Sequence, residues 1–233
     1  MLNKMTHWRV KVSLATCCLL GIMGIGMADD GTTQDLSIWA PVSLEIPVKN
    51  TPLYATLSVE PRISNNIREF EEVLIHPGLG YQINDNVSVE AGYTWLANTD
   101  TQFSIDQRLW QDVEVKKKWD RLALNGRLRL EERWLPGVDD VFVRNRYLLG
   151  GRYYLGDTRK WYVTSQNEIF INLNNAGVRA HGIDQFRLFN GVGKHVNKNM
   201  TLESGYQLQY ARKLEDPTRI NHILVFRVSY TID

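Results

Sequence analysis

The chain has 233 residues, with 27 Lys+Arg against 26 Asp+Glu, and its 2 cysteines stand together near the start. No broad basic excess marks it for nucleic acid. Residues 29–233 carry no thiol for a disulfide, a nucleophile or a metal, and no run among them approaches the roughly eighteen apolar residues of a membrane-spanning helix.

Residues 1–28 read as a secretory signal. Lys4, Arg9 and Lys11 make a basic start, Val12 to Met27 form an apolar run, and Gly26-Met27-Ala28 supplies a small-x-small site before Asp29 and Asp30. The run is short for a membrane anchor. A lipoprotein would need a small residue ahead of Cys17, where Thr16 stands. Cleavage is expected after Ala28. It removes three positive charges and no acid, leaving 24 basic and 26 acidic residues and a formal charge of −2.

Residues 29–50 form an N-terminal segment, polar over 29–35, with strand character over 36–47. Pro41 argues against a central strand there. Ten strands are predicted next, at 51–62, 69–82, 86–98, 104–117, 119–134, 141–156, 160–174, 182–196, 199–212 and 219–232. Tight connections are expected at Asn84-Asp85-Asn86, the Lys116–Lys118 run, Gly156-Asp157-Thr158 and Asn197-Lys198-Asn199. Leu135–Asp140, Asn174–His181 and Lys213–Thr218 are longer and richer in Gly, Pro, Asn and Asp. Short turns at one end and longer loops at the other suit an outer-membrane barrel. The expected fold is all-β: a transmembrane antiparallel up-and-down barrel over 51–233, of about ten strands with twelve as the alternative. Ten strands put both ends of the barrel at the short-turn side. Counting 36–47 makes eleven, which does not close evenly, so that segment is expected off the wall or beside a twelfth strand.

The clearest alternation is WDRLALNGRLRLEERW, 119–134. Leu122, Leu124, Leu128 and Leu130 share one parity; Arg121, Arg127, Arg129, Glu131 and Arg133 share the other. One face is greasy and the other charged. Trp119 and Trp134 are placed at the two membrane interfaces, and Trp161, Tyr153 and Tyr230 extend these girdles with Tyr154, Tyr162, Tyr81, Trp95 and Tyr210. The last strand sets Phe226, Val228, Tyr230 and Ile232 on one parity, near an assembly signal for the outer membrane, although the chain ends in Asp233.

The opposite parity defines an expected lumen. Its charge cluster is Arg127, Arg129, Glu131, Arg144, Arg146, Glu168, Arg187 and Glu203. Glu60, Glu72, His76 and Glu90 come earlier in the chain, and Arg108, Asp112, Glu114, Arg121, Arg152, Gln185, Gln207 and Gln209 share the face. Neighbours on that face lie about 5–7 Å apart, so the arginines must meet carboxylates or water. Two readings stay open. Paired charges fill a closed structural barrel, or acids on the early strands face arginines on 119–134 and 141–156 across a narrow pore. An arginine wall would draw anions.

The strings RLRLEER (127–133), VRNRYLL (143–149), NEIF (167–170), DQFR (184–187), SGYQLQ (204–209) and NH (221–222) together resemble the family known as domain of unknown function 2490 (DUF2490). The resemblance spans most of 36–232. It implies exported bacterial proteins with an outer-membrane barrel, and it carries no activity and no site residues. On this reading the partners are outer-membrane lipid, the barrel-assembly machinery and small charged solutes, for a monomer without cofactor, metal or nucleic acid.

Three other classes would make different demands on the sequence. A lipid-modifying enzyme would need a serine–histidine pair. Among His76, His181, His195 and His222, only His222 has a candidate, Ser204 on the neighbouring strand, and the two fall at different heights. A soluble lipocalin-like barrel would turn the faces inside out. An adhesin would need larger outer loops.

Overall fold

In the computed structural model the described residues are 32–99, 104–176, 181–212 and 218–233. The expected signal and its cleavage site lie outside them, as do most of the 213–218 loop and residues 100–103 and 177–180. Alternating apolar and polar side chains, rich in Val, Ile, Leu, Tyr and Trp, make strands throughout, and no helix occurs among the described residues.

There are twelve strands: β1 (Thr32–Trp39), β2 (Val42–Pro47), β3 (Leu53–Ser64), β4 (Glu69–Asn84), β5 (Val87–Asn98), β6 (Ser104–Trp119), β7 (Leu122–Trp134), β8 (Phe142–Leu155), β9 (Trp161–Asn172), β10 (Gly182–His195), β11 (Met200–Ala211) and β12 (Thr218–Thr231). From β2 to β12 each strand pairs antiparallel with the next, and β2 also pairs parallel with β12. The result is a closed barrel of eleven strands, with β1 as an extra strand. The ten strands expected from residue 51 are β3 to β12.

The 36–47 segment belongs to the wall. An odd ring cannot close antiparallel, so β2 meets β12 in parallel, and the ring needs no further partner. β1 continues β2. The register that sets Trp39 beside Val225 sets Val42 beside Val228, and on the other side Trp39 faces Arg62 as Val42 faces Val59. Pro41 lacks an N–H and interrupts the ladder there, yet its carbonyl accepts from Val228 N–H at 2.9 Å. The wall strand therefore starts, at Thr32, beside the start of β12 and at the loop end, not at the turn end.

The turn expected at Lys116–Lys118 falls elsewhere. β6 runs through the lysines to Trp119, and the hairpin turns at Asp120-Arg121, with Asp120 at φ 29°. Trp119 thus closes β6, while Trp134 ends β7. Arg121 leaves the lumen for the turn end, where it donates to Gly156 O at 2.9 Å.

Leu122, Leu124, Leu128 and Trp134 point out, as do Val113 and Val115 on one neighbouring strand and Tyr147 and Leu149 on the other. Glu131 and Arg133 are buried inside. Glycines admit large inward rings: a Cβ at Gly92 would stand 2.3 Å from Trp110, and one at Gly193 would stand 2.2 Å from Tyr162.

Candidate functional site

Inward positions of neighbouring strands stand side by side, and this brings distant acids and arginines together. On β6 and β7, Asp112 faces Arg129 and accepts its Nε and Nη2 at 2.7 and 2.6 Å. This is the two-pronged geometry that makes guanidinium–carboxylate pairs strong. Glu131 accepts from Arg144 Nε and from Arg146 Nη1, both at 2.6 Å. Glu168 on β9 accepts from Arg127 Nη2 at 2.7 Å and from Arg146 at 3.0 and 2.7 Å, with Arg187 Nη1 at 3.7 Å. Asp106 takes Arg108 at 2.8 Å and also bonds Arg133. Seven arginines share four carboxylates.

The carboxylates are the scarce component. Glu131 is 1% exposed and Arg144 is 4%. At that depth a charge without a counter-charge costs several kcal/mol on the order-of-magnitude scale. Each shared acid holds two or more arginines, so the pairs act as one lattice rather than as isolated bridges. Ring faces complete it: Arg129 lies 4.1 Å from the Trp110 ring centre, and Arg144, Arg146 and Arg187 lie 5.0, 4.6 and 4.8 Å from that of Phe170.

Seven of the eight expected cluster residues meet in this lattice. Glu203 does not. It sits toward the turn end of β11, accepting from Tyr162 Oη at 2.7 Å and Arg227 at 2.6 Å, with Arg152 at 3.0 Å. Trp119, Trp134, Trp161, Tyr153 and Tyr230 all face outward near strand ends. Tyr154 and Tyr162, also expected in the girdle, are buried inside instead, where Tyr162 reaches Glu203. Residue 153 is outward, so residue 154 of the same strand must be inward.

Asp106, Trp110 and Trp39 complete the lumen and are absent from the expected set, and Arg133, expected on the charged face, joins them through its bond to Asp106. Asp106 and Trp110 share the parity of Arg108 and Asp112, so that signal was present in the sequence. Trp39 was hidden by the uncertain status of its strand. It stacks with Arg62 at 3.7 Å and Arg187 at 4.9 Å. With Phe189, Ile223 and Val225 it forms a buried apolar cluster against β10 and β12.

Beside this cluster the barrel is hollow. A cavity of about 980 Å³ is lined by Thr33, Leu135 and Arg219 at the loop end and by Glu45 and Thr231 at the turn end. Glu60, Glu72, His76 and Glu90 line it on β3–β5. Arg62 bonds Glu60 and Glu72 at 2.6 and 2.8 Å, Glu90 accepts from Thr56 Oγ1 at 2.5 Å, and His76 Nδ1 lies 2.6 Å from Thr94 Oγ1. Nine arginines line the cavity. Six carboxylates line it as well, and four more (Asp35, Asp112, Glu131 and Glu168) stand behind, paired to those arginines. The signs are separated across the space while the total nearly cancels.

No group of three His, Cys, Asp or Glu among the described residues could hold a metal. The serine–histidine pair does not form: His222 Nδ1 lies 2.6 Å from the Tyr206 hydroxyl, while Ser204 pairs in register with Phe226.

A family model described as protein of unknown function (DUF2490) matches residues 36–220. An uncharacterised protein of Methylorubrum extorquens is 28% identical over 222 residues, which cover 92% of this chain and 94% of that protein. No solved structure matches. The family match takes in the barrel from β1 to the first residues of β12, and the chain belongs to the DUF2490 family.

Proposed function

We propose that the protein is a monomeric outer-membrane barrel, exported by cleavage after Ala28, that gives small polar or charged solutes a narrow passive path. The observation that carries the path is the cavity whose lining residues come from both ends of the barrel. The outward apolar side chains of β6, β7 and β8 support a lipid surrounding, because an exposed belt of this kind is costly in water and favourable in a bilayer. The partners in this reading are outer-membrane lipid, the barrel-assembly machinery and the solutes. Catalysis and a cofactor form no part of it.

A closed structural barrel is the second reading, and the packed cluster of Trp39, Phe189, Ile223 and Val225 favours it. The two differ in conductance. The purified protein in planar bilayers should give small, reproducible current steps. Replacing Arg127, Arg129, Arg144 and Arg146 by Gln should shift ion preference toward cations in variants that still fold, because the acids of β2–β5 would then dominate the field. A silent wild type would reject the path and leave the closed barrel.

A further inference from the structure

We propose that the lumen selects small zwitterions, solutes with one ammonium and one carboxylate group such as amino acids, over singly charged or neutral solutes of the same size. The inference rests on the proposed path and assigns its substrate class.

On β2–β5 the cavity is lined by Glu45, Glu60, Glu71, Glu72 and Glu90, and the one arginine among them is Arg62. Glu90 has a hydroxyl, Thr56 Oγ1, as its hydrogen-bond partner and no arginine in salt-bridge reach among the described residues. On β6–β10 the balance reverses, with the seven arginines holding four carboxylates. In the eleven-strand ring β3–β5 and β7–β10 stand on different sides of the space.

A single charge gains little in such a passage. Attraction to one wall is offset by repulsion from the other, because the lining as a whole is close to neutral. A solute carrying both signs gains at both walls when it lies across the lumen with its ammonium toward Glu90 on β5 and its carboxylate toward Arg146 on β8 and Arg187 on β10. The groups suit their partners. A guanidinium offers a planar fork for a carboxylate, and a glutamate with only a hydroxyl partner keeps lone pairs for an ammonium. The low-dielectric wall strengthens both interactions relative to water.

The test is osmotic swelling of vesicles carrying the purified protein. Four three-carbon solutes are compared after subtraction of protein-free vesicles: β-alanine, propionate, propylammonium and neutral lactamide. β-Alanine should enter at least about three times faster than each of the others. Glu90→Gln should reduce that advantage to near parity, read as the ratio of β-alanine to lactamide entry in the same vesicles, and Glu90→Asp should restore part of it. Comparable entry of all four solutes would overturn the zwitterion assignment and leave the path standing. Entry of none above protein-free vesicles would overturn the path, and the assignment with it.

Discussion

At the scale of single residues, parity decides what a substitution costs. Leu128 and Arg129 are neighbours in β7 and have opposite surroundings. Leu128 is exposed on the outer face, whereas Arg129 is held by Asp112 at 2.7 and 2.6 Å. In the proposed membrane setting an arginine at position 128 would enter hydrocarbon, at a cost of about 2–4 kcal/mol near the bilayer midplane. A leucine at position 129 removes one of two arginines near Asp112, and Arg127 remains 4.0 Å away to answer part of its charge. Leu128→Arg should therefore lower the yield of heat-resistant folded protein on unboiled gels more than Arg129→Leu does. Equal yields, or the reverse order, would place the β7 faces the other way round.

The parity of charged residues was legible in the sequence because arginine and glutamate have only one tolerable side in such a wall. The aromatics were less legible. Tyr and Trp suit an interface belt, but they also fill a lumen when a glycine opposite makes room. Trp110 over Gly92 and Tyr162 over Gly193 are of the second kind, and nothing in a lone aromatic separates the two fates. Only its parity against charged neighbours does so, which is why Tyr154 and Tyr162 were misplaced beside Tyr153 and Trp161.

At the scale of elements, hairpin strands were readable and the closing strand was not. An antiparallel neighbour follows after a short turn and leaves a local signature of alternation and turn residues. The parallel partner of β1 and β2 lies at the far end of the chain, and nothing near Pro41 announces it. Pro41 itself is misleading. It reads as a breaker, yet the strand resumes past it in the same register on both sides. β1 is also held from its other side, where Asn66 N–H, between β3 and β4, donates to Asp35 Oδ1 at 2.9 Å and Ile67 N–H donates to Leu36 O at 3.1 Å. This closure is open to a direct check. Ser43 and Ser229 are register partners across the parallel pair, and directly paired residues lie within the Cα separations of about 4.4–6.8 Å that a disulfide spans. With the native cysteines confined to positions 17 and 18, the double variant Ser43→Cys, Ser229→Cys should cross-link under mild oxidation in the folded protein. Ser43→Cys paired with Val225→Cys, four residues out of register, should not. Failure of the first pair, or equal cross-linking of both, would contradict the parallel seam.

At the scale of the whole molecule, the barrel interior holds a packed apolar cluster and a long cavity beside it. Trp39, Phe189, Ile223 and Val225 form the cluster, and the cavity takes lining residues from β10–β12 as well as from β2–β8. The arginine lattice of β6–β10 lines this cavity. It braces the wall and also faces the space, so a structural barrel and a path are not opposed in their residues: the same seven arginines can hold the wall and present charge to a solute. The central claim beneath both is that the apolar face meets lipid and the charged face meets water.

The measurement that tests this most directly is a labelling scan along β7. Single cysteines are placed in turn at positions 122–134 of a Cys17→Ser, Cys18→Ser background, labelled with a small fluorophore and reconstituted in bilayers. Quenching is then read with a nitroxide carried on the acyl chain and, separately, with a water-soluble ion. The account predicts a period of two: strong lipid quenching at Leu124, Leu128 and Leu130, and weak lipid quenching at Asn125, Arg127, Arg129 and Glu131. Lipid quenching absent at both parities, or strongest at the arginine positions, would contradict it.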